Sequence, residues 1–303
     1  MSSGGTSAYI GRFAPTPSGP LHFGSLVTAV GSYLDARARQ GQWLLRIEDV
    51  DRPRVVPGAA DDILRTLECF GLHWDGPVLF QSQRQEAYEE ALHRLREQGR
   101  LYACGCSRRQ LNALDLRRGP LGLIYPGLCR DRALGFSGHS LRLRIDTPAR
   151  IRFEDRHCGP RELDLAGEVG DVVLKRVDGI YAYHLAVVVD DAFQGVSDIV
   201  RGADLLDVSF LHRHLASLLR LPLPRYLHLP LVYAPGGRKL SKQTGAQPLD
   251  RARPAAQLWQ ALEFLGQQPP GKEGGMAVQE LLEWAIDHWQ PQRLPAVQLP
   301  VSA

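Results

Sequence analysis

The stretch from residue 9 to residue 40 limits the possible folds of this chain most strongly. Residues 9–13 form a short apolar run that predicts a buried strand, and residues 14–20 (Ala-Pro-Thr-Pro-Ser-Gly-Pro) predict a turn. The apolar residues that follow, such as Leu26, Val30 and Leu34, recur at helical spacing. Because the first N–H groups of a helix are unpaired, a strand, a glycine-bearing turn and a helix N-terminus form a phosphate-binding arrangement.

A histidine stands at the start of the predicted helix. The turn before it is neither a Walker A loop nor a G-x-G-x-x-G fingerprint. The imidazole of His22 could donate a hydrogen bond to a phosphate oxygen as negative charge builds there. Taken alone, the same residues also fit a helix-capping turn that holds a partly buried histidine.

A second polar segment lies far downstream. Residues 236–245 form a glycine-flanked loop that carries Lys239 and Lys242, and these are two of only four lysines among the 36 basic residues of the chain. Lysine is a compact, mobile point charge that can follow a phosphate through a reaction. By itself, this loop would be interpreted as a solvated basic turn.

Together the two segments resemble the HIGH and KMSKS motifs of class I aminoacyl-tRNA synthetases, with His-Phe-Gly-Ser at 22–25 and Lys-Leu-Ser-Lys-Gln at 239–243. The sequences of residues 12–19 and 46–52 restrict the resemblance to the glutamyl- and glutaminyl-tRNA synthetases of this class. Two positions depart from the motifs: Ser25 replaces the second histidine, and Gln243 replaces the last serine. A hydroxyl carries no charge, so less transition-state stabilisation is expected from Ser25.

The resemblance implies an α/β fold built on a Rossmann-like, doubly wound parallel sheet. At 303 residues the chain can hold a sizeable core and two modules. We expect residues 1–100 and 171–245 to form the two halves of the catalytic core, residues 101–170 an inserted zinc-containing α/β module, and residues 246–303 a short helical segment, with no anticodon-binding domain. Strands are predicted at 9–13, 43–47, 172–176, 182–189 and 226–233, and helices at 58–70, 83–98, 255–265 and 278–289.

Three cysteines in the insertion have spacing suited to a metal. Cys104, Cys106 and Cys129 could bind tetrahedral zinc in a small, loop-rich module. Generic chemistry leaves the fourth ligand open among His139, Asp131 and Cys158, whereas the resemblance favours Tyr125. A closed site of four ligands would make the zinc structural, and the alternative is a set of reduced, unliganded thiols.

Within the family, the chain resembles a truncated branch, the glutamyl-Q tRNA(Asp) synthetases, which join glutamate to the queuosine base at the wobble position of tRNA(Asp). The resemblance rests on the early end of the chain, the sequence of residues 183–196, the Lys-Leu-Ser-Lys-Gln loop and the Cys-x-Cys…Tyr-x3-Cys pattern. It implies L-glutamate, ATP with Mg²⁺ and queuosine-containing tRNA(Asp) as partners.

The resemblance also implies which residues form the site. The glutamate pocket would comprise Arg12, Phe13, Ala14, Pro15, Thr16, Glu48, Tyr183 and Arg201. ATP would meet His22, Gly24, Ser25 and Lys242, and the catalytic groups would be His22, Lys239 and Lys242. Two of these roles also follow from side-chain chemistry, because the planar guanidinium groups of Arg12 and Arg201 suit bidentate recognition of glutamate's two carboxylates.

Composition and charge limit the partners and the location that are expected for this protein. The net charge of +3 and the sequence pI near 8.6 permit an RNA partner without requiring one. We find no long apolar run and no secretory signal, so a cytoplasmic monomer without a membrane span is expected. Two other functions stay open: a short glutamyl-tRNA synthetase that charges a 3′ end, and a non-catalytic paralogue that binds an amino acid or adenylate.

Overall fold

The computed structural model describes residues 8–233 and 247–298. Its N-terminal stretch forms the predicted strand, turn and helix: β1 (Ile10–Phe13), α1 (Phe23–Arg37) and β2 (Gln42–Ile47). Strands β1 and β2 pair in parallel. The apolar face of α1 packs on them and is buried, which confirms the first predicted unit.

Two amphipathic helices and one short strand follow: α2 (Ala59–Cys69), β3 (Leu79–Phe80) and α3 (Gln85–Glu97). Strand β3 extends the sheet by pairing in parallel with β2. The helices bury the apolar residues that the sequence predicts for them, including Ile63 on α2 and Leu92 on α3. Both predicted helices are therefore confirmed.

The next part of the chain is built from short elements. They are β4 (Leu101–Cys104), α4 (Arg108–Asn112), β5 (Arg118–Gly119), β6 (Gly122–Leu123), β7 (Ser140–Leu143), β8 (Arg150–Asp155), β9 (Gly159–Asp164), α5 (Leu165–Glu168) and β10 (Val172–Lys175). Strands β10, β7 and β4 form an antiparallel sheet in that order. Strands β8 and β9 form a hairpin.

One predicted strand is wrong. Residues 182–189 do not form a buried strand but begin the helix α6 (Tyr183–Phe193). An apolar run that is buried on all sides has the same sequence appearance in a helix as in a parallel strand. In the helix, Asp190 and Asp191 lie on its last turns, where both carboxylates are buried.

The second half of the central sheet comes from β11 (Asp198–Gly202) and β12 (Arg225–Leu229), which are parallel and are connected by α7 (Val208–Leu218). The predicted strand at 226–233 is shorter than expected and ends before Pro230, which has no N–H to donate. Strand β12 also pairs with β8, giving the order β11-β12-β8-β9.

The two groups of strands lie side by side. The backbone N–H of Ser197 donates to the carbonyl of Ile10 at 2.9 Å, which places β11 next to β1. The parallel arrangement predicted for the core is thus present in β3-β2-β1 and in β11-β12, while antiparallel strands make the sheets of the whole chain mixed. Side chains at the carboxyl ends of β1, β2 and β11 meet at one edge, where ligands bind in folds of this kind.

The predicted C-terminal helices are confirmed as α8 (Pro254–Phe264) and α9 (Val278–Asp287). Their apolar residues, among them Leu258 and Leu281, join the same buried cluster as α1. No helix in the described ranges combines the length and apolar character that a membrane crossing requires.

Candidate active site

One cleft of about 860 Å³ opens at the carboxyl ends of β1, β2 and β11. Its lining contains every residue predicted for the glutamate pocket, together with three residues predicted for ATP. These are Arg12, Phe13, Ala14, Pro15, Thr16, Glu48, Tyr183 and Arg201, and His22, Gly24 and Ser25. Lys239 and Lys242 lie outside the described residues.

Arg12 is held at the cleft by a carboxylate from another element. Its Nε donates to Oδ1 of Asp191 at 3.0 Å, and the same oxygen accepts from Nη2 of Arg46 at 2.8 Å. Burial acts to raise the pKa of Asp191, but the two guanidinium groups hold that pKa below its usual value. This contact uses Nε, and the terminal nitrogens of Arg12 make no hydrogen bond to the described residues, so they can bind a ligand.

Glu48 lies at the carboxyl end of β2, where the sequence places it. Its Oε1 is 3.7 Å from Nη2 of Arg46, and its side chain is 10% exposed. Burial raises the pKa of Glu48 to about 7, against the opposing effect of Arg46 and Arg12. A cation bound in the cleft would favour the ionised carboxylate, so this residue is suited to an ammonium group.

Arg201 lies on β11 and is almost fully buried. Its Nε donates to Nε2 of His228 at 3.3 Å, and its Nη2 donates to Oγ of Ser209 at 2.7 Å. The buried Nη1 has no hydrogen-bond partner within the described part of the chain. Leaving a buried guanidinium nitrogen unpaired costs free energy. A carboxylate bound in the cleft would pair with Nη1 and remove this cost.

Tyr183 begins α6 and lines the same cleft. Burial raises the pKa of its phenol to about 12. The hydroxyl is therefore neutral at physiological pH and can both donate and accept a hydrogen bond.

His22 is the N-cap residue of α1. Its Nδ1 accepts from the backbone N–H of Ser25 at 3.3 Å, which places the proton of the neutral ring on Nε2. The chain on either side of the lysine segment also lies at the cleft, since Val232 lines it and Pro248 pairs with His22.

The three cysteines predicted as metal ligands meet in one cluster. The sulfurs of Cys104, Cys106 and Cys129 lie within 4.8 Å of one another, and those of Cys106 and Cys129 are 3.6 Å apart. Tetrahedral zinc with Zn–S bonds of about 2.3 Å would place its sulfurs roughly 3.8 Å apart. The donor set and its spacing therefore fit this metal.

The structure also bears on the fourth ligand. Oη of Tyr125 lies 3.4 Å from the sulfur of Cys104 and 3.5 Å from that of Cys106, close to the edge length of the same tetrahedron. Of the described His, Cys, Asp and Glu side chains, none joins the three cysteines in a metal-sized group. His139, Asp131 and Cys158, the alternatives that generic chemistry allowed, therefore do not lie where they could be the fourth ligand.

Several polar residues around the cleft have no predicted role in the sequence. In the sequence, Asp191 is one of two adjacent aspartates that follow an apolar run. Asp155 and His228, which form a buried pair at 2.6 Å, come from positions more than seventy residues apart, and no local motif connects them. Only the fold shows that these groups surround the two cleft arginines.

Known proteins resemble this chain over nearly its full length. The family model "tRNA synthetases class I (E and Q), catalytic domain" matches residues 10–124 and 128–285. A glutamyl-Q tRNA(Asp) synthetase from Aromatoleum aromaticum is 55% identical, over 95% of this chain and 90% of that protein. Proteins of the same name from Dechloromonas aromatica and Pseudomonas fluorescens are 52% and 50% identical, each over 97% of this chain and 98% and 96% of their own lengths.

Solved structures show the same fold. A glutamate tRNA ligase from Elizabethkingia meningosepticum, in complex with its amino acid, superposes with a TM-score of 0.79 at 25% identity. The match covers 95% of this chain but only 66% of that one. By sequence and by fold, the chain belongs to the glutamyl and glutaminyl class I tRNA synthetases, and within that family to the ligases named glutamyl-Q tRNA(Asp) synthetase.

Proposed function

We propose that this chain activates L-glutamate with ATP and transfers the glutamyl group to the queuosine base in the anticodon of tRNA(Asp). The charge pattern of the cleft supports L-glutamate as the amino acid that is activated. Arg12 and Arg201 supply two buried guanidinium groups, and Glu48 supplies one carboxylate, on a side chain that is 10% exposed. Glutamate has two carboxylates and one ammonium group, so its charges complement these three side chains.

The remaining contacts of each arginine favour this assignment. Arg12 is held through Nε by Asp191, and Arg201 is held through Nε and Nη2 by His228 and Ser209. Both guanidinium groups are therefore fixed before a ligand arrives. Fixed donors bind a carboxylate with a smaller entropy cost than mobile ones, which favours recognition of a small, flexible amino acid.

In the activation step, an oxygen of glutamate's α-carboxylate attacks the α-phosphorus of ATP in line. The bond between the α-phosphorus and the bridging oxygen breaks, and pyrophosphate leaves as glutamyl-adenylate forms. His22 and the N-terminus of α1 would face the phosphates, since Nε2 of His22 carries a proton that it can donate. Gly24 and Ser25 lie beside it, and Lys239 and Lys242 would steady the leaving pyrophosphate.

Two metal ions would bind to this protein, one with the substrate ATP and one as part of the fold. Mg²⁺ would enter with ATP, held mainly by phosphates and water, and would offset the negative charge of the phosphates. Zinc would be held by Cys104, Cys106, Tyr125 and Cys129, where a closed set of four ligands supports the fold of the insertion. We assign it no part in the reaction.

In the transfer step, a hydroxyl of the queuosine cis-diol attacks the activated carbonyl, and AMP leaves. The names of the relatives support tRNA(Asp) as the acceptor. The insertion could meet the anticodon stem-loop, because it exposes several arginines suited to phosphates, among them Arg108, Arg109 and Arg118.

The activation step is tested by exchange of labelled pyrophosphate into ATP, with and without tRNA(Asp). Exchange should require L-glutamate, and aspartate or glutamine should give little, because the two carboxylates of aspartate are one methylene closer together and glutamine has only one carboxylate. An Arg12→Met variant serves as a control with an impaired cleft. Equal exchange with all three amino acids, or none with glutamate, would contradict the proposal.

A further inference from the structure

Four side chains behind the cleft form one buried hydrogen-bonded chain. Oδ2 of Asp155 lies 2.6 Å from Nδ1 of His228, and Nε2 of His228 lies 3.3 Å from Nε of Arg201. Oγ of Ser209 lies 3.2 Å from the same Nε2 and accepts from Nη2 of Arg201 at 2.7 Å. We propose that Asp155 and His228 are positioning residues that fix the tautomer of an imidazole and thereby the orientation of the glutamate-binding Arg201.

The order Ser209, His228, Asp155 is also that of a nucleophilic triad, but burial excludes this role. Ser209 and His228 are 0% exposed and Asp155 is 1% exposed. The hydroxyl of Ser209 is engaged by Arg201 and by the carbonyl of Leu205, so a substrate cannot reach it. The group that these residues present to the cleft is the guanidinium of Arg201, whose Nη1 has no hydrogen-bond partner among residues 8–233 and 247–298.

The direction of each hydrogen bond in this chain follows from Asp155. Its Oδ1 accepts the backbone N–H groups of His157 and Cys158 at 3.0 and 2.8 Å, so Oδ2 is the oxygen that faces His228. Burial lowers the pKa of His228, which is therefore a neutral ring with one proton. An ionised carboxylate can only accept, so that proton lies on Nδ1.

This tautomer of His228 determines how the ring contacts Arg201. With the proton on Nδ1, the lone pair of Nε2 is available to accept from Nε of Arg201. The opposite tautomer would place an N–H group against the N–H of the guanidinium. Tyr226 supports the arrangement, since its ring stacks on His228 at 5.8 Å and lies 5.3 Å from the guanidinium carbon of Arg201.

This geometry predicts an unusual effect of Asp155→Asn. The two backbone N–H groups at Oδ1 will hold the amide oxygen there and turn the amide nitrogen toward His228. His228 must then accept at Nδ1 and carry its proton on Nε2, facing Arg201. The inference rests on glutamate being the substrate, so the KM for glutamate should rise about tenfold while the KM for ATP stays within about twofold.

A double mutant separates tautomer control from general destabilisation. In His228→Gln, the side-chain amide reaches the position of Nε2 and can turn its oxygen to Arg201 whatever residue 155 is. Asp155→Asn should therefore change the glutamate KM by less than about twofold in the His228→Gln background. Asp171→Asn is the matched control, because Asp171 is equally buried but pairs with Arg130, away from the cleft. It should lower stability without changing the glutamate KM.

The outcomes distinguish this inference from the proposed function. If the unmodified protein shows no glutamate-dependent exchange, the proposed function fails, and ¹⁵N NMR of the histidines still judges the tautomer without substrate. The signals of His228 are those that disappear in the His228→Gln variant, and their ¹⁵N shifts should report a protonated Nδ1. A protonated Nε2, or an unchanged glutamate KM in Asp155→Asn, would overturn the inference. If Asp155→Asn does not fold, His228→Asn should raise the glutamate KM and His228→Gln should not, and equal values would overturn it.

Discussion

Arg12 on β1 and Asp191 on α6 are separated by 179 positions in the chain, yet Nε of Arg12 and Oδ1 of Asp191 are 3.0 Å apart. The same carboxylate oxygen lies 2.8 Å from Arg46, and all three side chains are buried. One carboxylate thus contacts two guanidinium groups beneath the cleft. These contacts hold the guanidinium of Arg12 where a substrate carboxylate can pair with it.

Replacing Asp191 should therefore destabilise the fold. Asp191→Asn leaves Arg12 and Arg46 as buried, poorly compensated charges, and we expect a loss of about 3 kcal/mol in the free energy of unfolding. Urea denaturation at pH 7.5 measures it. Asp178→Asn is the control, because its ion pair with Arg176 is half-exposed and should contribute less than about 1 kcal/mol. Similar losses in both variants would contradict the buried network.

Glu48→Gln should separate stability from binding. The pKa of Glu48 is raised from 4.5 to about 7, so this group stabilises the fold fully below pH 4.5 and less as the pH rises toward 7. A glutamine does not titrate. The variant should therefore gain about 2 to 4 kcal/mol relative to the unmodified protein between pH 4.5 and pH 8, while it loses glutamate binding.

Urea denaturation of both proteins at several pH values tests this expectation, with Glu90→Gln on the exposed face of α3 as the control. Glu48→Gln should alter the pH dependence of the free energy of unfolding, and Glu90→Gln should not. The same burial predicts that the KM for glutamate rises as the pH falls below about 7, because a protonated Glu48 cannot pair with an ammonium group. A stability difference that is constant across this range would refute the burial argument.

Cys104→Ser should remove zinc and lower stability together. The protein as purified is expected to hold about one zinc per chain, and a serine in place of a buried thiolate should weaken the site strongly. Metal analysis and thermal denaturation report the two effects. Cys158→Ser is the control, because Cys158 lies outside the cysteine cluster and should keep its zinc. Unchanged metal content in Cys104→Ser would exclude the assignment.

Lys242→Ala tests the lysine motif. If this residue contacts ATP, pyrophosphate exchange should slow by about 10 to 100-fold, because charge stabilisation of the departing phosphates is lost. The melting temperature should stay the same, since the loop is expected to be exposed. Lys272→Ala removes an exposed lysine from the C-terminal segment and should change neither value. A large fall in the melting temperature of Lys242→Ala would show that the loop has a structural role.

Local sequence patterns predict most of this fold because each pattern has one physical solution. The turn at 14–20 and the periodicity after His22 lead to β1, α1 and β2 as the structure has them. The short elements between residues 101 and 170 have no such pattern, and α6 has an ambiguous one, because Leu185, Val188 and their neighbours form an unbroken apolar run. Such a segment lacks the alternation that separates a strand from a helix, so only its tertiary surroundings decide.

The site shows a similar division. Residues that touch the cleft, such as Arg12 and Glu48, could be predicted because they belong to recognisable motifs at strand ends. The groups that hold them could not. Asp155, Ser209 and His228 come from β8, α7 and β12, and they meet only because these elements pack together. Their roles depend on distances that no single stretch of sequence contains.

The proposed RNA target is tested most directly by labelling. The protein is incubated with ATP, radiolabelled glutamate and tRNA(Asp) that carries either queuosine or unmodified guanosine. Each tRNA is used intact and after removal of the 3′-terminal adenosine, which deletes the acceptor diol of ordinary charging and leaves the anticodon unchanged.

We predict that labelling requires queuosine and survives the loss of the 3′ end. This result would place the glutamyl group on the anticodon base. Labelling that is indifferent to queuosine and disappears with the 3′ adenosine would contradict the proposed target and identify a short glutamyl-tRNA synthetase instead. No labelling and no adenylate would indicate a protein that only binds its ligands.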